Sequence, residues 1–152
     1  MKDDQVLITR ENMERLRCLL DSWKSSQDRD RAHLEILAQK LNSARVVTSD
    51  RIPHDVVTMN SQVCVNHLDA GHVKIYTLVF PWRADVSKGN VSVLAPIGTT
   101  LLGHRAGALI DCKVPSGRKR LRVEEILYQP EAARTTELDA NRVDHISYYP
   151  AA

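Results

Sequence analysis

The side chains that could do chemistry in this 152-residue chain are few and scattered. Asp28 and Asp30 alternate with Arg29 and Arg31 at the end of a polar stretch, Lys24–Arg31. Carboxylates at the tip of a projecting element could hold a divalent cation, which prefers oxygen ligands. The plainer reading is that one of them caps a helix while the arginines neutralise the rest. No further ligand stands nearby in sequence. Arg118, Lys119, Arg120 and Arg122 form the only basic cluster. On a strand Arg118, Arg120 and Arg122 share a face, and a charge-protected sheet edge is favoured over a phosphate site. The six histidines show no metal-ligand spacing, and His67 and His72 merely flank a turn. Cys18, Cys64 and Cys112 form no CxxC, which points to reduced thiols inside a cell. There is no Ser/His/Asp or Cys/His set and no glycine-rich phosphate loop. The residues alone therefore nominate no catalytic group, no metal site and no cofactor.

Composition narrows the partners. Lys and Arg number 21 against 19 Asp and Glu, a net charge of +2 that disfavours non-specific nucleic-acid binding. Aromatics make up 5% of the chain, too few for a base-stacking RNA module. No apolar run approaches the roughly 20 residues that span a bilayer, and MKDDQ at the N-terminus is no signal peptide. A soluble cytoplasmic protein without a membrane partner is expected.

Two elements must position these groups. Thr9 suits a helix N-cap, with Glu11 favourably placed in the first turn. Met13, Leu16, Leu20 and Trp23 recur at a coiled-coil spacing, and Leu34, Leu37, Leu41 and Ala44 repeat it. The two sets mirror each other, so residues 1–48 read as a short antiparallel hairpin. Its first helix, of about 16 residues, would project about 24 Å. Residues 49–53, SDRIP, read as a linker. The second element is a sheet: 62–68 with 73–80, and 109–114 with 118–128 and a bulge near Glu124–Glu125. Between the pairs lies Val91–Gly103, VSVLAPIGTTLLG, read as a strand, a proline hinge and a short helix. The fold class is α+β, an antiparallel sheet with one covering helix over 54–131. Residues 132–152 lose periodicity and are expected to be a mobile tail.

Three stretches then become recognisable. DVVTMNS at Asp55–Ser61, VSVLAPIGTTLLG at Val91–Gly103 and LYQPEAA at Leu127–Ala133 resemble the Rnk family, the bacterial regulators of nucleoside diphosphate kinase. That family is related to the Gre transcription elongation factors. The resemblance implies an FKBP-like C-terminal domain, a short N-terminal coiled-coil hairpin and binding to RNA polymerase at the rim of its secondary channel. It assigns that contact to Leu94, Ala95, Pro96, Ile97 and Gly98; the mirrored leucine pattern puts Asp28, Arg29 and Asp30 at the hairpin tip. Pro96 matches the Gre motif, whereas Leu94 stands where some Gre factors carry an acidic residue. The implied action is that of a non-enzymatic monomer. It competes with Gre-type factors without stimulating transcript cleavage and affects the kinase indirectly. An FKBP-type prolyl isomerase or chaperone is the alternative, but one Phe, two Trp and four Tyr make a thin supply for an aromatic cage. Stable binding of DNA or RNA through Arg118–Arg122 is not expected.

Overall fold

Thr9 starts the first helix as its residue type predicts. Its hydroxyl accepts the Asn12 backbone N–H at 3.1 Å, and Glu11 occupies the first turn near the positive end of the dipole. The structure, a computed structural model, describes residues 5–23, 28–114 and 116–134. Helix α1 is Arg10–Ser22 and α2 is Asp28–Ser43. The 13 residues of α1 span about 20 Å, fewer than the sequence pattern promised. Of the mirrored positions, Leu16, Leu37 and Leu41 are buried, and Met13, Leu20, Trp23 and Ala44 pack around them half-buried. Arg17 Nη2 donates to Asn42 Oδ1 at 2.8 Å, which sets α1 beside α2 close to the expected Leu16–Leu41 level.

The helix pair is stitched into the rest of the chain. Strand β1 (Leu7–Thr9) enters α1 and pairs in parallel with β2 (Arg45–Val47), which leaves α2. Leu7 N donates to Gly103 O at 3.1 Å, and Met59 N to Asn12 Oδ1 at 3.1 Å. Leu16, Leu19, Leu37 and Leu41 share one apolar cluster with Val57, Leu78, Leu101 and Leu121 from the sheet region. Ile52, inside the expected linker, is itself buried.

The main sheet has five strands in the order β5-β4-β3-β7-β6. These are β3 (Gln62–His67), β4 (His72–Val79), β5 (Asn90–Ser92), β6 (Leu109–Val114) and β7 (Gly117–Tyr128). The expectation of a wholly antiparallel sheet is corrected at one edge. Strand β5 runs parallel to β4, with Thr77 opposite Asn90 and Val79 opposite Ser92. A parallel neighbour needs a connection that carries the chain back, and residues 80–89 supply it with two 3-10 turns, Pro81–Arg83 and Val86–Lys88. The strand expected over 91–95 also stops early, because Ser92 turns the chain. Its carbonyl accepts Ala95 N and its hydroxyl accepts Leu94 N, each at 3.0 Å. Val73 and Ile75, expected as part of an apolar strand, lie 56% and 49% exposed at the start of β4.

The bulge in β7 is present. Val65 faces Val123 while Cys64 faces Glu125, leaving Glu124 unpaired and letting Val123 and Ile126 both turn inward. A second irregularity leaves out Leu127. Helix α3 (Pro96–Leu101) then packs against β5, β6 and α2. The whole is a mixed α+β fold. Residues 130–134 are helical, and the rest of the expected tail lies outside the described residues.

Candidate functional site

The loop that the resemblance singled out is built by three hydrogen bonds and one glycine. Pro96 is the first residue of α3, where its missing N–H has no partner to lose. Thr99 N donates to Ala95 O at 2.9 Å, Thr100 Oγ1 to Pro96 O at 2.7 Å, and Thr99 Oγ1 to Val93 O. Gly98 is buried against the turn, where a Cβ would meet Ser92 O at 1.9 Å. It shapes the loop and offers a partner no side chain. Leu94, Ala95, Pro96 and Ile97 are half-buried. Leu94 and Pro96 line a groove of about 560 Å³ together with His33 and Ile36 of α2. Ile97 turns the other way, to a pocket at the far end of β3 and β4. Ile36 is 55% exposed, so this apolar face extends from the loop onto the helix pair.

The two other motifs hold each other. Gln129 Nε2 donates to Pro53 O at 2.9 Å and Val56 O at 2.8 Å. Thr58 Oγ1 donates to Glu131 Oε1 at 2.7 Å and lies 2.8 Å from Ser61 Oγ. All four side chains are buried. DVVTMNS and LYQPEAA are thus the two halves of one polar clamp that fastens the end of β7 to the start of the domain. Arg105 adds to it by a two-point contact with Asp55, at 3.2 and 3.1 Å.

The remaining candidates separate. Asp28, Arg29 and Asp30 open α2, but their side chains and the tip itself lie outside the described residues. Among the described residues no three His, Cys, Asp or Glu gather to hold a metal ion, and no helix is long and apolar enough to cross a membrane. Of the three arginines on one face of β7, Arg120 is held by Asp69 at 3.0 Å and Arg122 by Glu124 at 3.3 Å. Local carboxylates pair two of the three arginines, and Arg118 is exposed, which agrees with a solvated sheet surface. Trp82, 71% exposed, stacks on Phe80 at 5.0 Å, and both line a groove of about 500 Å³ with Trp23. The coiled-coil spacing puts Trp23 on the helix seam, and nothing in it shows that this ring meets Phe80 and Trp82.

Lys40 also escaped the sequence. Its Nζ donates to Thr99 O at 2.6 Å and Thr100 O at 2.8 Å, tying α2 to the last turn of α3. Cations are favoured at that end of a helix, yet burial pushes the ammonium down to about 7. Between about 7 and the ordinary lysine value near 10.4 the native state then binds fewer protons than the unfolded chain. Stability is accordingly lowest below pH 7 and gains from this group as pH rises toward 10. In urea denaturation, the advantage of the wild type over Lys40→Met should grow between pH 6.5 and 9.5. A difference that stays constant with pH would show that Lys40 is not desolvated.

Residues 52–128, half of the chain, match the C-terminal family of the transcription elongation factors GreA and GreB. The chain is 43% identical over 100 residues to the regulator of nucleoside diphosphate kinase of Escherichia coli K12, covering 65% of this chain and 74% of that one. To GreA of Desulfovibrio desulfuricans it is 31% identical over 98 residues, 64% of this chain and 60% of the other. A GreA/GreB structure from Nitrosomonas europaea superposes with a TM-score of 0.66 at 34% identity, covering 82% of this chain and 98% of that one. The chain belongs to the Rnk family of regulators of nucleoside diphosphate kinase, related to the Gre factors. It is a Gre-related regulator, and these relatives are named as regulators or transcription factors rather than enzymes.

Proposed function

We propose that the chain binds RNA polymerase at the rim of the secondary channel, competes there with Gre-type factors without stimulating transcript cleavage, and acts on nucleoside diphosphate kinase only indirectly. It works as a cytoplasmic monomer, with a short antiparallel coiled coil on an FKBP-like domain. The observation that carries this is the pairing of a Gre-type C-terminal domain with a helix pair of reduced reach. Helix α1 has 13 residues, about 20 Å in length, and its Leu16 and Leu19 are sunk in the shared core. Catalysis by a second metal needs ligands within about 2–2.6 Å of the ion. The Gre factors, by family resemblance, carry a longer hairpin, and in this reading a first helix of 13 residues with its base sunk in the core does not bring such ligands to the ion.

Leu94 and Pro96 make the contact in this reading, since a loop pinned by hydrogen bonds at both ends presents half-exposed apolar groups without further ordering, and Ile97, which turns away from them, is left out of it. Co-purification with core RNA polymerase tests it, with and without a Gre competitor. Pro96→Arg should weaken capture at least about tenfold while the melting temperature stays within a few degrees. Unchanged capture by both Pro96→Arg and Leu94→Arg would move the interface elsewhere. In a stalled elongation complex with labelled RNA, the protein alone should produce no shortened transcripts, and Gre-stimulated cleavage should fall as it is added. Cleavage by the protein alone, lost on Asp28→Asn with Asp30→Asn, would overturn the reach limit.

A further inference from the structure

We propose that the pocket between the β3–β4 turn and β7 binds the phosphate group of a small phosphorylated molecule. The pocket measures about 380 Å³ and is lined by His72, Lys74, Lys119 and Arg120, with Ile97 at its apolar side. Its geometry comes from the turn. Residues His67 and His72 face each other across the hairpin, so their imidazoles stack at 4.7 Å and 13°. Behind them His67 Nε2 lies 2.8 Å from the Tyr76 hydroxyl, and both residues are buried, which fixes the ring that supports His72. The Asp69 carboxylate accepts the N–H, Nε and Nη2 of Arg120 at 3.0, 3.1 and 3.0 Å, aiming the guanidinium and cancelling one charge. Lys119 alternates off the arginine face of β7 and lies in register with Cys112 on the inner side.

The charges here do not balance. Lys74 and Lys119 are exposed, and neither has a carboxylate partner among the described residues; Lys74 lies over the Tyr76 ring at 5.4 Å. Burial and the positive fields of His72, Lys119 and Lys74 hold His67 below the ordinary histidine range. Facing groups are thus three cations, one carboxylate and two imidazoles, with Tyr76 beneath and no further charge from α3. A phosphate monoester carries between one and two negative charges near neutral pH and three acceptor oxygens. Lys74, Lys119, Arg120 and His72 offer the matching donors. A lone carboxylate would leave one cation unpaired. Toward Arg122 an extended nucleic-acid strand finds no free cation, because that arginine is bound to Glu124, while the exposed Arg118 extends the row on the other side. The pocket reaches past the phosphate position to Ile97, room for the rest of a small molecule.

The test is calorimetry and imidazole NMR on the full chain, titrated with inorganic phosphate and pyrophosphate at constant ionic strength. Saturable binding is expected, with shifts at His67 and His72 and a rise in the His67 titration midpoint as the anion offsets the lysines. Lys74→Gln with Lys119→Gln should weaken binding at least about tenfold at an unchanged melting temperature, while Lys88→Gln should leave it alone. Absence of saturation, equally tight binding of acetate, an equal loss in Lys88→Gln, or tighter binding of a short single-stranded RNA would each overturn the proposal.

Discussion

Gly98→Ala should destabilise the fold markedly, although alanine is the better helix former. Alanine normally improves a helix by up to about 1 kcal/mol over glycine, and Gly98 lies inside α3. Here the added Cβ would stand 1.9 Å from Ser92 O and 2.8 Å from Ser92 C, against backbone that cannot swing aside as a side chain could. Ser92 is itself fixed by Leu94 and Ala95 and by pairing with Val79. Overpacking costs about 1–3 kcal/mol, at times more, and a backbone wall at 1.9 Å puts this case at the upper end, above the propensity gain and a sizeable share of the roughly 5–15 kcal/mol a domain holds. Urea denaturation should show the midpoint falling steeply, or the soluble yield collapsing. A variant as stable as the wild type would mean that α3 does not approach β5 as described. The same substitution cannot report on partner binding, because it destroys the loop that would make the contact.

Leu37→Ala is the second large effect, expected to cost about 2–5 kcal/mol for a fully buried leucine. Leu37 is 0% exposed and lies in the cluster that joins the helices to Leu78 and Leu101. Because that cluster is continuous, tryptophan fluorescence, which reports on Trp23 and Trp82, and far-ultraviolet circular dichroism should move together to a lower midpoint. Leu20→Ala, at a half-buried position, should cost distinctly less. Two separate transitions, with the sheet signal unmoved, would show that the helix pair folds independently.

Several features were legible because they depend on a residue and its near neighbours. Thr9 caps α1 since its own hydroxyl reaches the N–H three residues on. Pro96 begins α3 since its ring fixes the first helical turn. The bulge at Glu124 followed from a change of phase that a two-residue period cannot absorb. The motifs at 55–61 and 127–133 were visible as motifs, but their purpose was not. Gln129 meets Val56 and Glu131 meets Thr58 across 73 positions of sequence.

What the sequence by itself determined, then, is the family, the starts of α1 and α3 and the strands β3, β4, β6 and β7, but neither the short β1–β2 pair nor the ends of α1 and β5. Steric and hydrogen-bonding preferences act within a few residues, and a pattern carries them intact. Only the tertiary structure decided that β5 runs parallel to β4, that Lys40 is desolvated against the end of α3, and that Lys119 and Arg120 meet His72 and Lys74 around one pocket. Each of these depends on which surfaces meet once chain entropy is overcome, and a buried charge or a convergent cluster has no local signature until they do.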